Sequence, residues 1–285
     1  MPELPEVETV RRGLQHLIVG RSVTGVDVLN PGSFTAASPL DGATVTAARR
    51  RAKMLFLDVD DDRTLVVHLK MTGQLVVRGS AEWGGGHPSD SLIGELPDRS
   101  TRVVIDLDDG TKLFFNDQRK FGWMRLITRL QADAMTAGLG PEPMDDDAWP
   151  RFRERVRRHD RTVIKAALLN QEVVAGIGNI YADEALWASR VHPATRVGAL
   201  SDRALKRILQ SAADVMELSI ELGGSTSRNY VDAEGRRGAY LDFAQVFERQ
   251  GQPCSRCGTL IVKTRVAGRG THLCPKCQKL RTAVA

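Results

Sequence analysis

The first residues of the chain have the composition of a covalent amine catalyst. Residues 1–6 read Met-Pro-Glu-Leu-Pro-Glu. Removal of Met1, which the small following residue permits, would leave the secondary amine of Pro2 beside the carboxylates of Glu3 and Glu6. A secondary amine condenses with an aldehyde carbon to give an iminium, which withdraws electrons and so promotes elimination. An unperturbed α-amine titrates at about pH 8, so its attacking neutral form is accessible near neutrality.

Four cysteines near the end of the chain are spaced as metal ligands. They form two Cys-x-x-Cys pairs separated by sixteen residues: Cys254, Cys257, Cys274 and Cys277. Each pair can give two thiolates to one tetrahedral ion, and the span between the pairs suits a β-hairpin. No cysteine is left over and no secretory signal is recognised, which favours a metal over disulfides. The spacing predicts one structural Zn²⁺ per chain, with a rubredoxin-like iron site or a redox pair as the alternatives.

Positive charge is concentrated in two stretches. The formal net charge is +5, a mild excess that by itself only suggests a polyanionic partner. No acidic residue follows Glu248, whereas eight cations do: Arg249, Arg256, Lys263, Arg265, Arg269, Lys276, Lys279 and Arg281. The other stretch holds six arginines: Arg151, Arg153, Arg155, Arg157, Arg158 and Arg161. Either stretch alone could be solvated surface, but two of them beside a metal ribbon favour contact with phosphates.

Four shorter segments could contact phosphates or bases. Arg269 stands between two glycines at the predicted hairpin tip, and Lys53 directly precedes an apolar strand. Phe121 follows two cations after another strand and could act as a wedge between bases. Residues 176–181 read Gly-Ile-Gly-Asn-Ile-Tyr before a predicted helix, whose first N–H groups could bind an anion together with Asn179. Each pattern taken alone also fits a solvated turn or a packing turn.

These residues must be positioned by short strands in the first half of the chain and by helices in the second. Alternating apolar residues predict strands at 23–29, 43–47, 54–59, 65–69, 74–77, 102–107 and 112–115, typical of a sandwich or barrel. Helical spacing predicts helices at 7–19, 147–158, 162–170, 180–188 and 201–222. The Gly-, Ser- and Pro-rich stretch 79–97 is expected to be a long surface loop, and residues 131–147 an interdomain linker.

The composition is that of a globular protein large enough for two domains. The chain has 285 residues, of which 42% are hydrophobic and 26% charged. No apolar run reaches the ~18 residues of a membrane span, so no membrane partner is expected.

Taken together, these motifs resemble the formamidopyrimidine-DNA glycosylase family of bacterial base-excision enzymes. The resemblance runs essentially from end to end. It rests on the segments at 2–8, 50–53, 68–73, 139–143 and 176–184, and on the cysteine ribbon with Arg269. It implies an α+β fold: an N-terminal β-sandwich with flanking helices, then a helix-two-turn-helix domain with a β-ribbon zinc finger. The corresponding boundaries are 1–130 for the catalytic sandwich, 131–147 for the linker, 148–245 for the helical domain and 246–285 for the zinc finger.

The resemblance also implies the activity and its residues. It implies a bifunctional glycosylase and AP lyase that flips oxidised purines such as 8-oxoguanine out of duplex DNA lying in a cleft between the domains. The catalytic roles fall on Pro2, Glu3, Glu6, Lys53 and Arg269. Pro2 is the nucleophile, Glu3 the acid and Lys53 a phosphate contact that assists proton transfer. The DNA contacts fall on Met71, Ser100, Arg119, Phe121, Arg161 and Asn179. A monomer in the bacterial cytoplasm, associated with the nucleoid, is expected.

The sequence departs from the family pattern at several DNA-facing positions. Ser100 stands where many members carry a DNA-contacting histidine, and Lys70 where glycine is frequent. Gln118 and Lys120 replace a common proline and arginine, and the stretch 79–97 is longer than usual. The segment 225–240 is expected to cover a purine in the pocket.

Two other functions are consistent with parts of the pattern. A sister enzyme excises oxidised pyrimidines by the same chemistry, but its start usually has glycine where Leu4 stands here. A non-catalytic zinc-ribbon DNA-binding protein would explain the basic tail and leave Pro2, Glu3 and Lys53 without a purpose.

Overall fold

Ten short strands build two five-stranded sheets in the first part of the chain. The structure, a computed structural model, describes residues 2–87, 89–225 and 240–280. The strands are β1 (Val23–Val28), β2 (Phe34–Ala36), β3 (Val45–Arg51), β4 (Met54–Val59), β5 (Arg63–His68), β6 (Gly73–Arg78), β7 (Trp83–Gly86), β8 (Thr101–Leu107), β9 (Lys112–Asp117) and β10 (Trp123–Thr128). One sheet has the order β1-β8-β9-β6-β7 and the other β2-β10-β5-β4-β3. Neighbouring strands are antiparallel except β2 and β10, which are parallel.

The two sheets pack face to face as a sandwich, and the side chains of each strand point alternately into and away from the shared core. Leu55 and Leu57 of β4 share one buried cluster with Val103 and Ile105 of β8, which belongs to the other sheet. Phe56, between the two leucines, instead packs with α2 (Arg129–Ala134) on the outer face. Because successive side chains of a strand point to opposite faces, this split shows two sheets packed face to face. The predicted sandwich is confirmed.

Helix α1 (Leu4–Leu17) carries the motif at the start of the chain and packs against the sandwich. It begins at Leu4, three residues before the predicted start, because Pro5 lies in its first turn. Its apolar residues Val10 and Leu14 join the core. A Cβ added to Gly13 would lie 2.4 Å from the indole of Trp83, so the helix approaches β7 at a glycine.

The prediction that residues 79–97 form a surface loop is wrong. Trp83–Gly86 is the buried strand β7, paired with β6, and Asp90–Leu92 forms a 3₁₀ turn. Three consecutive glycines conceal this strand in the sequence, since glycine has no side chain that could alternate. The close packing of Gly85 against Trp83 and Val10 explains why side chains are absent there.

Three further elements also escaped prediction. They are β2, β10 and α2, and the last of these extends into the predicted linker 131–147. Three residues give too little periodicity to detect, and β10 alternates only weakly around its exposed Arg125.

Helices and one hairpin make up the later part of the chain. The helices are α3 (Ala148–Arg157), α4 (Ile164–Leu169), α5 (Asn179–Ala188), α6 (Asp202–Glu221) and α7 (Tyr240–Phe243). The hairpin consists of β11 (Val262–Val266) and β12 (Arg269–Leu273). Helix α6 is followed by Gly223 and Gly224, both with positive φ, and the Gly224 N–H closes the last turn on the Ser219 carbonyl at 2.7 Å.

The chain forms two compact units. One contains residues 1–137 with 219–240, and the other residues 138–218 with 241–285, so the hairpin packs in the same unit as α3, α4 and α5. The mixed architecture confirms the predicted α+β fold class. Among the described residues, no helix combines the length and the apolar character needed to cross a membrane.

Candidate active site and zinc ribbon

The residues around Pro2 are held by a frame of backbone hydrogen bonds. Glu3 is the N-cap of α1 and, like Pro2 and Glu6, it is buried. The Glu3 N–H donates to Glu6 Oε2 at 2.8 Å, while the Glu3 side chain accepts from the Glu6 backbone, which makes a capping box. Glu6 Oε1 accepts the Ser225 N–H at 2.9 Å. Both oxygens of Glu6 therefore bind backbone groups, which fixes the segment that carries Pro2 and Glu3.

Lys53 lies in the two-residue turn between β3 and β4. The turn needs Ala52 in the left-handed region, with φ +53°. Arg50 supports it by donating to the Ala52 carbonyl at 3.2 Å and to Glu8 at 3.1 Å. Burial by itself raises the pKa of Glu8. Hydrogen bonds from Arg11 and Arg12 and the nearby guanidinium charges outweigh this effect and bring the pKa down to about 2. An ionised Glu8 thus ties α1 to the turn of Lys53.

His68, at the end of β5, is a site residue that sequence reasoning did not single out. Burial lowers the pKa of His68 to about 3, and the charges of Lys70 and Lys53 contribute to this. The neutral ring accepts the Lys70 N–H through Nδ1 at 3.0 Å and lies against Trp123. Two lysines therefore set a positive potential around an uncharged imidazole, and a phosphate would match that potential.

Three exposed side chains form what we call the wedge cluster: Met71, Arg119 and Phe121. They come from two loops, β5–β6 and β9–β10. Arg119 Nη1 lies 3.1 Å from Met71 Sδ, and the guanidinium carbon lies 4.9 Å from the centre of the Phe121 ring. Phe121 is 52% and Met71 39% exposed, which is unusual for large apolar side chains. The structure thus brings Met71 together with two predicted site residues about fifty positions later in the sequence.

Asp117 organises the two wedge loops, and sequence reasoning missed it. It is fully buried and accepts the Thr72 hydroxyl from the first loop. From the second loop it accepts the Arg119 N–H at 3.2 Å and the Gly122 N–H at 2.6 Å. The available signal was an acidic residue at the end of β9, two positions after its apolar run.

Three of the departures noted in the sequence, Lys70, Gln118 and Lys120, lie in these same loops. Lys70 has φ +51° and Lys120 has φ +60°, so both occupy backbone conformations that favour glycine.

Ser100 does not have the environment of a DNA contact. It is only 4% exposed, and its hydroxyl donates to Asp98 at 2.7 Å and lies 3.1 Å from the Ser91 hydroxyl. A buried hydroxyl that is already engaged cannot reach a phosphate in this conformation. The DNA contact expected at Ser100 stays a prediction, and in this structure the residue orders the loop before β8.

The glycine-rich turn before α5 is built for close approach. Gly176 has φ +90°, and the Gln171 side chain accepts its N–H at 2.9 Å and donates to the Ile177 carbonyl at 3.0 Å. Asn179 is the first residue of α5, and its buried Oδ1 has no hydrogen-bond partner among the residues described. A fixed turn ahead of a helix N-terminus is a suitable anion site. Sequence reasoning missed Gln171.

The following residues of the same motif anchor the hairpin instead. Asp183 Oδ2 accepts the His272 N–H at 2.9 Å. Asp183 Oδ1 pairs at 2.6 Å with Lys165, and both side chains are fully buried. The Lys165 ammonium also donates to the Gly270 carbonyl at 2.9 Å, directly beside Arg269. The first part of the predicted motif, up to Asn179, is thus a candidate phosphate site, and the later part, with Asp183, has a structural role.

Glu184 fastens the segment that leads into the ribbon. Its carboxylate accepts the backbone N–H groups of three consecutive residues, Gln245, Val246 and Phe247, at 2.8–2.9 Å. Burial of Glu184, which is 1% exposed, raises its pKa although these N–H groups oppose the shift.

Arg269 is presented at the tip of the hairpin. The turn consists of Ala267 and Gly268, both with positive φ, which suits the right-handed twist of the strands. Arg269 is the first residue of β12 and is exposed, whereas Thr271 and His272 behind it are buried. The buried Lys165 and Asp183 therefore hold the base of a hairpin whose tip is cationic.

The four cysteines are arranged as ligands for a single ion. Their sulfur atoms all lie within 4.8 Å of one another. Zn–S bonds of about 2.3 Å in a tetrahedron place sulfurs about 3.8 Å apart, so a small closure would complete the site. The donor set of four thiolates, with a Cys277 N–H directed at Cys274 Sγ at 3.5 Å, suits Zn²⁺. With four protein ligands the site is closed, and zinc has a structural role in it.

The arginine stretch 151–161 is less available than its charge suggested. Arg153 and Arg157 both pair with Asp202, at 2.5 and 2.7 Å. Arg151 pairs with Asp147, Arg158 with Glu154, and Arg155 donates to two backbone carbonyls. Arg161 is exposed and makes no ion pair with another described residue. The predicted segment 225–240 lies outside the described residues except for its two ends.

Comparison with known proteins agrees with this arrangement. Three family profiles match in order: the formamidopyrimidine-DNA glycosylase N-terminal domain at residues 1–124, the H2TH domain of the same enzyme at 139–231, and a zinc finger found in FPG and IleRS at 251–280.

Similar proteins match the chain over its full length. The formamidopyrimidine-DNA glycosylase of Streptococcus thermophilus is 40% identical, over 98% of this chain and 100% of that protein. Its counterpart in Herpetosiphon aurantiacus is 41% identical over the same shares. A point mutant of the Lactococcus lactis FPG, solved with DNA containing Fapy-dG, superposes with a TM-score of 0.85 at 34% identity, over 98% of this chain and 100% of that one. The wild-type Lactococcus protein, solved with DNA containing an oxidised pyrimidine, gives a TM-score of 0.84 at 33% identity, over the same shares. The chain therefore belongs to the formamidopyrimidine-DNA glycosylase family.

Proposed function

We propose that the chain excises oxidised purines, 8-oxoguanine and formamidopyrimidines among them, from duplex DNA and then cleaves the abasic site, with Pro2 as the nucleophile. The observation that carries the proposal is the hydrogen-bonded frame at the start of α1. It holds Pro2 and Glu3 through both oxygens of a buried Glu6. A proline fixed in this way needs only the removal of Met1 to become an oriented secondary amine.

The chemistry follows from an amine next to an acid. The Pro2 nitrogen attacks C1′ of the damaged nucleotide, and the bond from C1′ to the base breaks. Glu3 protonates the ring oxygen O4′, the C1′–O4′ bond opens, and an iminium joins the protein to the sugar. Loss of a C2′ proton then expels the 3′ phosphate, and a second elimination expels the 5′ phosphate. Water then hydrolyses the iminium and frees Pro2, so the products are the free base, the sugar fragment as an unsaturated aldehyde, and a one-nucleotide gap.

The remaining site residues act on the duplex. A base inside the stack must be flipped out, which costs a few kcal/mol. The wedge cluster fills the vacated space, since it is exposed, apolar at its core and flanked by cations. Lys53, Arg161, Asn179 and Arg269 contact phosphates and hold the distorted strand. Lys53 also assists proton transfer.

The zinc ribbon has a positioning role. Zinc holds the hairpin whose tip carries Arg269, and the contacts with Lys165 and Asp183 fix its base. We further propose that the protein acts as a monomer in the bacterial cytoplasm at the nucleoid, and that its domains are 1–130, 148–245 and 246–285 with a linker at 131–147.

Borohydride trapping tests the proposal directly. Tag-free protein, with removal of Met1 verified by mass spectrometry, is incubated with a duplex containing 8-oxoguanine opposite cytosine. Borohydride reduces an iminium to a stable amine, so a covalent protein–DNA adduct is expected. Pro2→Gly, whose N-terminus is a primary and not a secondary amine, should strongly reduce the adduct and retain lesion binding. Wild-type protein with an N-terminal extension is the matched control, because its Pro2 nitrogen stays an amide.

A duplex with an oxidised pyrimidine forms the second arm of the experiment. A faster adduct on this duplex than on 8-oxoguanine would overturn the purine assignment and leave amine catalysis intact. An undiminished adduct in Pro2→Gly would overturn Pro2 as the nucleophile.

A further inference from the structure

One side chain outside the ribbon reaches a zinc ligand. Trp187, near the end of α5, donates its indole N–H to Cys254 Sγ at 3.4 Å. Among the described residues, the other donors to the four sulfurs lie within the ribbon itself. They are backbone groups beside the cysteines and Thr259. Trp187 thus links the metal site to the helix on which the ribbon is anchored.

Arg256 completes this contact from the ribbon side. Its guanidinium carbon lies 3.9 Å from the centre of a Trp187 ring, and its Nη1 donates to the Trp187 carbonyl at 3.0 Å. Arg256 also stands between the ligands Cys254 and Cys257 in sequence. A cation above an indole face is attractive and draws electron density from the ring, which makes the ring N–H a stronger donor.

We propose that Trp187 and Arg256 are an outer-sphere part of the zinc site that controls how tightly the metal is held. Four thiolates on one Zn²⁺ carry a net charge of −2. An N–H donor on one sulfur and a guanidinium beside it offset that charge in a partly buried environment. Groups that orient and hydrogen-bond metal ligands typically change metal affinity about 10–100-fold. The pair also makes retention of zinc depend on the docking of the ribbon against α5.

Simple packing is the competing explanation for Trp187. The indole does pack against the small apolar cluster of the ribbon that contains Val246 and Ile261. Trp187→Phe separates the two explanations, because phenylalanine keeps an aromatic ring in the cluster and removes the N–H. Arg256→Gln removes the cation and leaves the indole in place.

The test measures zinc release from the full, zinc-loaded chain. Protein is mixed with excess 4-(2-pyridylazo)resorcinol, and the absorbance of the zinc–dye complex gives the release rate. We expect release about tenfold faster from Trp187→Phe and a smaller acceleration from Arg256→Gln. Trp149→Phe is the matched control, since Trp149 lies in α3 against Phe152. It should release zinc at the wild-type rate.

Tryptophan emission gives a second readout. Zinc removal should change the emission of the wild type and of Trp149→Phe, and this change should be largely lost in Trp187→Phe.

Equal release rates in Trp187→Phe and Trp149→Phe would overturn the proposal. A wild-type rate in Arg256→Gln would overturn the role of the pair. If Trp187→Phe does not accumulate as a zinc-loaded protein, the rate of Arg256→Gln alone decides. None of these outcomes depends on DNA cleavage.

Discussion

Buried carboxylates in this protein act as clamps on backbone N–H groups. Glu6 accepts hydrogen bonds from two backbone N–H groups, and Glu184 accepts them from three. Asp117 accepts two backbone N–H groups and one hydroxyl. A carboxylate accepts charge-assisted hydrogen bonds and is roughly twice as strong an acceptor as a neutral group. Residue type alone therefore does not separate Glu3, the proposed proton donor, from a clamp such as Glu6. The two roles are distinguished by the backbone groups to which each carboxylate is hydrogen-bonded.

Glu8 predicts how stability depends on pH. Its pKa in the folded chain is about 2, below the ordinary value of 4.5. Its contribution is therefore complete above about pH 4.5 and is lost as the pH falls toward 2. We expect Glu8→Gln to lower the free energy of unfolding at neutral pH, and the wild type to lose about 2 kcal/mol of this advantage by pH 3. Urea unfolding of both proteins at pH 6 and pH 3 measures this. Equal losses in both would contradict the assignment.

At the scale of elements, the position of the catalytic segment depends on one helix–strand contact. Helix α1 meets β7 through Gly13, where a Cβ would lie 2.4 Å from the Trp83 indole. Alanine normally favours a helix over glycine by about 1 kcal/mol. At Gly13 the steric conflict should outweigh that gain.

We therefore expect Gly13→Ala to destabilise the protein by about 1–3 kcal/mol and to reduce adduct formation by displacing the start of α1. Gly32→Ala is the control, because no atom lies within 4 Å of its added Cβ. Thermal unfolding of both variants is the measurement. A Gly13→Ala protein as stable as the wild type would refute the contact.

The wedge loops provide the second prediction at this scale. Asp117→Asn replaces one accepting oxygen by an NH₂ group that faces a backbone N–H or the Thr72 hydroxyl. Loosened loops would no longer present the wedge cluster in one arrangement. We expect binding to a duplex with a stable abasic analogue to weaken about tenfold, which corresponds to about 1.4 kcal/mol. Fluorescence anisotropy measures it. Asp106→Asn, which removes only an exposed pair with Lys112, is the control, and equal affinities in the two variants would exclude the clamp.

The sequence predicted elements with strong local signals and failed where structure depends on distant partners. The bounds of β4 and the positions of the four cysteines are local properties, and the structure agrees with both. The strand β7 is defined by its pairing with β6 and by Trp83 against α1, neither of which leaves an alternating pattern. The roles of Asp117 and Gln171 could not be predicted from the sequence either, because each side chain binds backbone groups that only the fold brings near.

At the scale of the whole molecule, charge in the sequence overstates the charge offered to DNA. Most of the arginine stretch 151–161 is neutralised within its own unit. Asp202, which pairs with two of the arginines, lies 45–49 residues away in sequence. No local pattern could have revealed that partner.

Arg161 and Arg153 should therefore differ in their effect on binding. Removal of one phosphate contact lowers the slope of log affinity against log salt by about 1. We expect this decrease for Arg161→Ala, together with weaker binding to any duplex. Arg153→Ala should leave the slope unchanged because its charge is already paired with Asp202. Titrations at several salt concentrations measure both slopes, and equal slopes in the two variants would refute the distinction.

Helix α5 limits how far this protein can be treated as a set of interchangeable modules. A zinc finger recognised at residues 251–280 looks like a unit that could be moved to another scaffold. However, Asp183, Glu184 and Trp187 lie on one short helix outside it, and each has its partner in or next to the finger. A transplanted finger would lose all three partners. Any chimaera between members of the family should therefore exchange α5 together with the finger, and its crossover point should fall before Asn179.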